Sequence, residues 1–482
     1  MTLLAWIHLG AVVLVAPLLL FPRIAWMPAA LIVPAIWLVS FAVRRHFVEP
    51  NLLNPLLLAL LVMVGVSVWA TFDVGFSLGK IAGTLLGVFL FLAAVQWMDR
   101  RRRLWIGVGT FLVAGVSFAI LGFLVTPFSP KLPVIRTVVP YLPARIPLPV
   151  PEGSLNANPV GGSLVLLLPL MGLLGWWLYR TTRGRSRGFG VLVILAALAS
   201  LAVLILSQSR SAWVGFAASI GFLLAVRYRW LRWAILVGLA CAVVSLAVWR
   251  PWNQQEATQA FDEATGEIGL SARLEIWDRA VYGIQDFPFT GMGMNAFRKV
   301  VHLLYPLFLV PPDTDIASAH NQFLQTALDL GIPGLIVYVA LWSAMGRMLW
   351  FTGSRGGRLD SLLAAGLAAG FLAQLVYMMT DAIPLGAKLG IFWWMAAILV
   401  VASFKLAFGS VELSRWRVVE LLLTWVLISL VSISFVGDHP FWALAVAAAG
   451  GIYIGVLAVP NLNRQDAKSA ESADATLLGE GS

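Results

Sequence analysis

Long apolar runs separated by short polar connectors cover most of this chain. Each run is about twenty residues long, which lets a helix cross a hydrocarbon layer roughly 30 Å thick. The runs lack the alternation of polar and apolar residues that is typical of an outer-membrane barrel. The pattern predicts an all-α, polytopic membrane bundle of about 14 helices, in a range of 12–14, at residues 3–21, 24–43, 52–72, 77–97, 104–126, 161–179, 189–206, 211–226, 230–249, 332–351, 359–379, 386–406, 417–436 and 440–458.

The composition excludes an ordinary soluble fold. Only 12% of the residues are charged and 60% are hydrophobic, whereas soluble domains carry roughly a quarter charged residues. The net charge of +10 would suggest nucleic acid in a soluble protein, but in a membrane protein the position of the basic residues matters more than their number. We therefore expect a lipid bilayer and no nucleic acid as partner. Cys241 is the single cysteine, which excludes an intrachain disulfide and a thiolate metal cluster.

The basic residues mark one face of the membrane. The connectors after the even-numbered spans, together with the C-terminal tail, hold 21 of the 33 lysines and arginines. Basic connectors stay in the cytoplasm, so both termini are predicted to be cytoplasmic. The other connectors then lie on the outer, periplasmic face.

We expect residues 1–458 to form one integral-membrane domain and residues 459–482 to form a disordered cytoplasmic tail, because the tail is polar and poor in apolar residues. Two longer outer segments interrupt the bundle. Residues 127–160 form a loop whose many prolines block regular helix. Residues 250–331 form a second outer loop, in which SARLEIWDRAVYGIQDF is predicted to be a surface helix with Ser271 as its N-terminal cap.

Polar side chains occupy five outer sites where a plain helix connector would not need them. No phosphate-binding loop, HExxH motif or paired-cysteine motif accompanies them, so we expect neither a metal nor a cofactor. The candidate residues are Asn158 in Asn-Ala-Asn-Pro, Ser209 and Arg210 in Ser-Gln-Ser-Arg-Ser, Arg273 in the surface helix, His320 and Asn321 in Ser-Ala-His-Asn, and Asp381 at the end of the eleventh span.

Each of these residues also has a structural interpretation. A guanidinium at membrane depth costs about 2.5–3.5 kcal/mol, so Arg210 either holds an anionic ligand in a bidentate fork or reaches lipid phosphates at the interface. Arg273 by itself fits a solvated charge on a surface helix. His320 precedes a helix-forming run at the membrane surface, where an imidazole suits general-base work but also suits a purely structural role. The residues alone leave these alternatives open.

Three segments together resemble a known family. LSQSRSAWVGF, RLEIWDRAVYGIQDFPFTGMGMNAF and SAHNQFLQTALDLGIPGL follow the order and character of the core pattern of the bacterial O-antigen ligase and polymerase superfamily. NPVGG is similar to that superfamily's Asn-Pro signature. The resemblance covers residues 156–334 and implies an integral-membrane glycosyltransferase with a GT-C-like fold, which uses a polyprenyl-diphosphate-linked glycan as donor on the periplasmic face.

The resemblance also implies roles for the candidate residues. Arg210 and Arg273 match the arginines that hold the donor diphosphate, His320 matches the histidine beside the acceptor hydroxyl, and Asp381 corresponds to a further acidic position. Ser209, Asn158 and Asn321 are supporting candidates.

The acceptor stays open at this point. The chain has about two more predicted spans than the family and a long proline-rich loop. We favour ligation of O-antigen to lipid A-core. The alternatives are an O-antigen or exopolysaccharide polymerase, a protein O-oligosaccharyltransferase and, in another class, a lipid-linked glycan transporter or flippase. A transporter would need ionisable groups along a mid-membrane path, which most spans lack.

Overall fold

The computed structural model describes residues 2–128, 133–142, 146–147, 155–249 and 269–461. The described residues contain 17 α-helices and no β-strand, which confirms the predicted all-α class. The helices are α1 (Thr2–Leu20), α2 (Ile32–Arg44), α3 (Asn54–Ala70), α4 (Val74–Trp97), α5 (Arg101–Val125), α6 (Pro133–Val138), α7 (Ala157–Thr181), α8 (Gly184–Ser207), α9 (Arg210–Arg227), α10 (Arg229–Trp249), α11 (Leu270–Asp286), α12 (Ala296–Leu304), α13 (Gln322–Arg355), α14 (Arg358–Met378), α15 (Ile391–Phe408), α16 (Arg415–Ser434) and α17 (Pro440–Ala458).

All 14 predicted spans coincide with helices, but fewer of these helices meet the requirements for crossing a membrane. Eleven helices of the described chain are long and apolar enough, and the second of these joins a 3-10 segment to α2. The predicted spans outside this set are α3, α9 and α10. Helix α3 has only 17 residues, and α9 begins and ends with arginine within its 18 residues. The chain is a multi-pass membrane protein.

Helix α13 is the centre of the bundle. It packs against α3, α14, α15 and α17. In its most apolar stretch 89% of the residues are buried inside the protein, compared with 17% for α16. The sequence separates a span at 332–351 from the helical run before it, and the structure keeps this division, because Gly331 (φ 71°, ψ 178°) is not helical and divides α13 into two segments. Pro333 has no backbone N–H to donate. The Ile332 N–H donates to the Pro288 carbonyl of the outer loop at 2.8 Å. The break therefore attaches the outer loop to the central helix.

Small residues bring three helices together near the ends that carry the candidate residues. A Cβ added to Gly370 of α14 would lie 2.2 Å from the Leu166 carbonyl oxygen of α7. A Cβ added to Gly215 of α9 would lie 2.3 Å from the Ala373 carbonyl oxygen of α14. Such contacts allow backbones to approach closely in a medium where helix association depends on packing. Helices α7, α9 and α14 consequently form one tightly packed unit.

Ion pairs join the basic connectors at the opposite end of the bundle. Arg101 at the start of α5 forms a bidentate pair with the buried Asp360 at the start of α14. Lys405 near the end of α15 lies 2.6 Å from Glu49 in the connector before α3. These contacts group the basic connectors on one side, as the charge pattern predicts.

The outer segments agree only in part with the sequence prediction. Helix α11 forms where a surface helix was expected, but the Ser271 cap is wrong: the helix begins at Leu270 after Gly269 and has no side-chain cap. The proline-rich loop was expected to lack regular helix, but it contains the short helix α6, which begins at Pro133. A proline is tolerated there because the first helical turn does not need its N–H group. Residues 462–482, for which disorder was predicted, lie outside the described residues.

Candidate active site

His320 lies in the sharp turn that precedes the central helix α13. Its φ angle is +48°, which is uncommon for a residue other than glycine and requires support from its surroundings. Asn321 supplies part of that support because its Oδ1 caps the helix, accepting the N–H groups of Phe323 at 2.9 Å and Leu324 at 3.1 Å. The Asn321 Nδ2 donates to the Met379 carbonyl at 2.9 Å. Asn321 thus joins the His320 turn to the end of α14.

Asp381 lies in the segment after α14 and faces the imidazole of His320. Its Oδ1 is 3.4 Å from His320 Nδ1, with side-chain exposures of 6% for Asp381 and 18% for His320. Burial tends to raise the pKa of the Asp381 carboxyl, but His320, the Arg273 charge and the Ala382 N–H outweigh burial and lower its pKa. The Asp381 carboxylate is therefore anionic at neutral pH, and it faces the Nδ1 side of the imidazole.

Arg273 approaches the same carboxylate from the first turn of α11. Its positive charge acts on both Asp381 and the Tyr377 hydroxyl. The Arg273 Nε is buried and has no hydrogen-bond partner among the residues that the structure describes. A buried guanidinium N–H without a partner is costly, and it suits an anionic ligand that would supply the missing acceptor. Arg273, His320 and Asp381 come from three separate parts of the chain and meet at one end of the bundle.

Tyr377 is a residue of this site that sequence analysis missed. It lies near the end of α14, is fully buried, and its hydroxyl is beside the Asp381 carboxylate. Its ring occupies space left by Gly162 of α7, where a Cβ would lie 2.3 Å from the ring. A tyrosine inside an apolar run ordinarily indicates packing, so the only available signal was its position four residues before Asp381.

The connector between α8 and α9 packs beside this unit. Gln208 adopts a left-handed conformation (φ 49°) that reverses the chain, and Ser209 is buried. A Cβ added to Gly161 would lie 2.7 Å from Ser207 Oγ and 3.1 Å from Ser209 Cβ. The two glycines of NPVGG therefore have different neighbours: Gly161 accommodates this connector, and Gly162 accommodates Tyr377.

The remaining candidates occupy neighbouring helix starts. Arg210 is the first residue of α9 and is exposed, directly after the buried Ser209. Asn158 is half-buried in the first turn of α7, where its backbone N–H donates to Asn156 Oδ1 at 2.9 Å. The structure thus places His320 against Asp381 within the electrostatic influence of Arg273, while Arg210 and Asn158 lie on adjacent elements at the same end.

The central part of the chain is similar to a known family. Residues 195–339 match the sequence profile described as O-antigen ligase. This match confirms the resemblance to the O-antigen ligase and polymerase superfamily, and it includes Arg210, Arg273 and His320. An uncharacterized protein of Haemophilus influenzae is 21% identical over 170 residues, which cover 33% of this chain and 42% of that protein. The aligned region thus spans less than half of the relative's length.

We expect Gly162→Ala to destabilise the site by displacing the Tyr377 ring. Overpacking a filled interior typically costs about 1–3 kcal/mol. Gly172→Ala in the same helix is the matched control, because a Cβ there would have nothing within 4 Å. Thermal unfolding in detergent should show a lower midpoint for Gly162→Ala than for Gly172→Ala. Equal midpoints would contradict the close contact between α7 and Tyr377.

Proposed function

We propose, from the O-antigen ligase domain that the chain carries over residues 195–339, that this membrane protein is a glycosyltransferase. It transfers a glycan from a polyprenyl-diphosphate carrier to an acceptor hydroxyl. The observation that carries the proposal is the meeting of Arg273, His320 and Asp381 at one end of the bundle. The Arg273 guanidinium has a buried N–H donor without a partner among the described residues, and it suits an anionic leaving group. The His320 imidazole, which faces the Asp381 carboxylate, suits the activation of an attacking hydroxyl.

His320 is the general base in this proposal. With the anionic Asp381 facing Nδ1, the proton of a neutral imidazole resides on Nδ1 and the lone pair of Nε2 is available, as in other carboxylate-oriented histidines. The 3.4 Å separation is long for a hydrogen bond, and such contacts often tighten only when substrate binds. Nε2 accepts the proton of the acceptor hydroxyl as its oxygen attacks the anomeric carbon.

The arginines stabilise the leaving group. The new bond joins the acceptor oxygen to the anomeric carbon, and the bond from that carbon to the diphosphate oxygen breaks. The electron pair of the broken bond stays on the diphosphate, where Arg210 and Arg273 neutralise the added negative charge without a metal. A single displacement of this kind inverts the anomeric configuration. Ser209, Asn158 and Asn321 support the site, with Asn321 acting through the His320 turn.

We favour lipid A-core as the acceptor, so that the reaction is O-antigen ligation. The same arrangement would serve an O-antigen or exopolysaccharide polymerase if the acceptor were a growing glycan, or a protein O-oligosaccharyltransferase if it were a protein hydroxyl. A lipid-linked glycan transporter would move the donor without forming a covalent product. The acceptor supplied in a purified assay decides among these possibilities.

We place the protein in the bacterial inner membrane, with the site on the periplasmic face and both termini in the cytoplasm. The charge pattern of the connectors supports this orientation. In this assignment, residues 1–458 form a single membrane domain with outer loops at 127–160 and 250–331.

We expect His320→Ala to reduce glycan transfer by roughly 10²–10⁴-fold, the usual contribution of a general base. His302→Ala is the matched control, because His302 lies in the same outer loop but its Nε2 contacts the Thr314 carbonyl at 2.9 Å. Purified protein would be assayed with lipid-diphosphate glycan and either lipid A-core or free glycan. Near-wild-type transfer by His320→Ala would remove its catalytic role, and donor movement without product in the wild type would contradict the enzyme proposal.

We expect Arg210→Lys to weaken donor binding by about tenfold although the charge is retained, because lysine lacks the planar fork that binds phosphate oxygens in pairs. Arg298→Lys provides the control, since Arg298 already pairs with Asp315 at 2.7 Å. Donor affinity is measured with the lipid-diphosphate glycan. An unchanged affinity in Arg210→Lys would count against bidentate binding of the diphosphate.

The proposed orientation predicts which face a membrane-impermeant thiol reagent reaches. In a Cys241→Ala background, Asp313→Cys is introduced in the outer loop and Ser354→Cys at the basic end of α13, and both positions are exposed. Intact cells should label Asp313→Cys, and disrupted cells should label both. Labelling of Ser354→Cys alone in intact cells would reverse the orientation.

A further inference from the structure

The strained turn at His320 depends on a hydrogen bond made by the preceding residue. Ala319 is fully buried, and its backbone N–H donates to Gln325 Oε1 at 2.8 Å. Gln325 lies in the first turn of α13 and is 1% exposed. A backbone N–H buried without a partner costs about 1–3 kcal/mol. This contact therefore helps to fix the Ser318–Ala319 peptide, one residue before the left-handed His320 conformation.

Gln325 is itself held in one orientation by Asp329. The Gln325 Nε2 donates to Asp329 Oδ1 at 2.8 Å, one helical turn further along α13. A carboxylate accepts and the Ala319 amide donates, so the nitrogen of the Gln325 amide must face Asp329 and its oxygen must face Ala319. The two neighbours leave the side chain no alternative orientation that satisfies both.

Asp329 is anchored from two other parts of the molecule. Its Oδ1 also accepts the Asn295 N–H at 3.0 Å, in a turn where Asn295 has a φ angle of +69°. Lys80 of α4 attracts the same carboxylate. Asp329 is 3% exposed, so it lies where electrostatic interactions are strong. A continuous set of hydrogen bonds consequently runs from α4, through Asn295, Asp329 and Gln325, to the Ala319 N–H beside His320.

We propose that Gln325, oriented by Asp329, is a positioning residue that holds the His320 imidazole in its reactive geometry. This inference rests on the proposed general-base role of His320. Gln325 has no contact with Arg273 or Asp381 among its hydrogen bonds in the described residues, so its effect reaches the chemistry through the backbone of the turn. Displacing a reacting group by about 1 Å is enough to cost roughly 100-fold in rate.

The chain offers a matched control for Gln325 on the same helix. Gln322 is also 1% exposed, but its Nε2 donates to Thr326 Oγ1 at 3.2 Å, within α13. Gln325→Met and Gln322→Met each replace a buried amide by a flexible apolar side chain of similar length. Gln322→Met loses one buried side-chain hydrogen bond, whereas Gln325→Met loses two, and only Gln325→Met loses the bond to the His320 turn.

The kinetic test separates positioning from general destabilisation. We expect Gln325→Met to lower kcat for transfer by roughly 10- to 100-fold with an unchanged KM for the donor, because donor binding is assigned to the arginines. Gln322→Met should keep kcat close to that of the wild type, and both variants are assayed well below their thermal midpoints in detergent, because the Ala319 N–H left without a partner lowers the midpoint of Gln325→Met. Equal kcat values for the two variants would overturn the inference.

Hydrogen exchange provides a readout that does not depend on activity. Peptides containing Ala319 and His320 should exchange faster in Gln325→Met than in Gln322→Met, because only the first substitution releases the Ala319 N–H. Unchanged exchange at this turn in Gln325→Met would also overturn the inference. If His320→Ala retains transfer while Gln325→Met accelerates exchange, the general-base proposal fails and the structural link between Gln325 and the turn stands.

Discussion

A hydrocarbon surrounding gives backbone polar groups no partner outside the protein, and the rest of this structure depends on that constraint. Every crossing segment must satisfy its own N–H and C=O groups, so the chain forms helices through its apolar runs. Polar and charged side chains are costly at depth, and they gather where helices end. The candidate site therefore consists of helix termini and short turns: the starts of α7, α9, α11 and α13 and the end of α14.

Close packing then decides which of these helix ends meet. Glycines on α7, α9 and α14 leave space for neighbouring backbone or side chains, as Gly162 does for Tyr377. Without water to drive apolar association, such contacts hold the helices together. The contact between Gly162 and Tyr377 also fixes the end of α14. Asp381 lies four residues after Tyr377. Helix packing and site geometry are thus two consequences of the same small residues.

Turns with unusual backbone conformations complete the arrangement. Four described residues other than glycine have positive φ angles, Arg45, Gln208, Asn295 and His320, and all except Arg45 belong to the site or to the network that supports it. Such conformations persist only where the surroundings hold them. Here the Asn321 cap and the Ala319 to Gln325 bond hold His320, while Asp329 accepts the Asn295 N–H. Polar groups at the boundary of the bundle thereby hold the imidazole in place.

The sequence by itself determined the helical class, the position of the apolar segments and the identity of the candidate side chains, because hydrophobic runs and exceptional polar residues are local properties. It placed Arg210, His320 and Asp381 at helix boundaries and Arg273 in a surface helix. It could not show that His320 faces Asp381, that Tyr377 joins them, or that the predicted Ser271 cap is replaced by Gly269. Those features arise from contacts between residues far apart in the chain, and only the tertiary structure decides them.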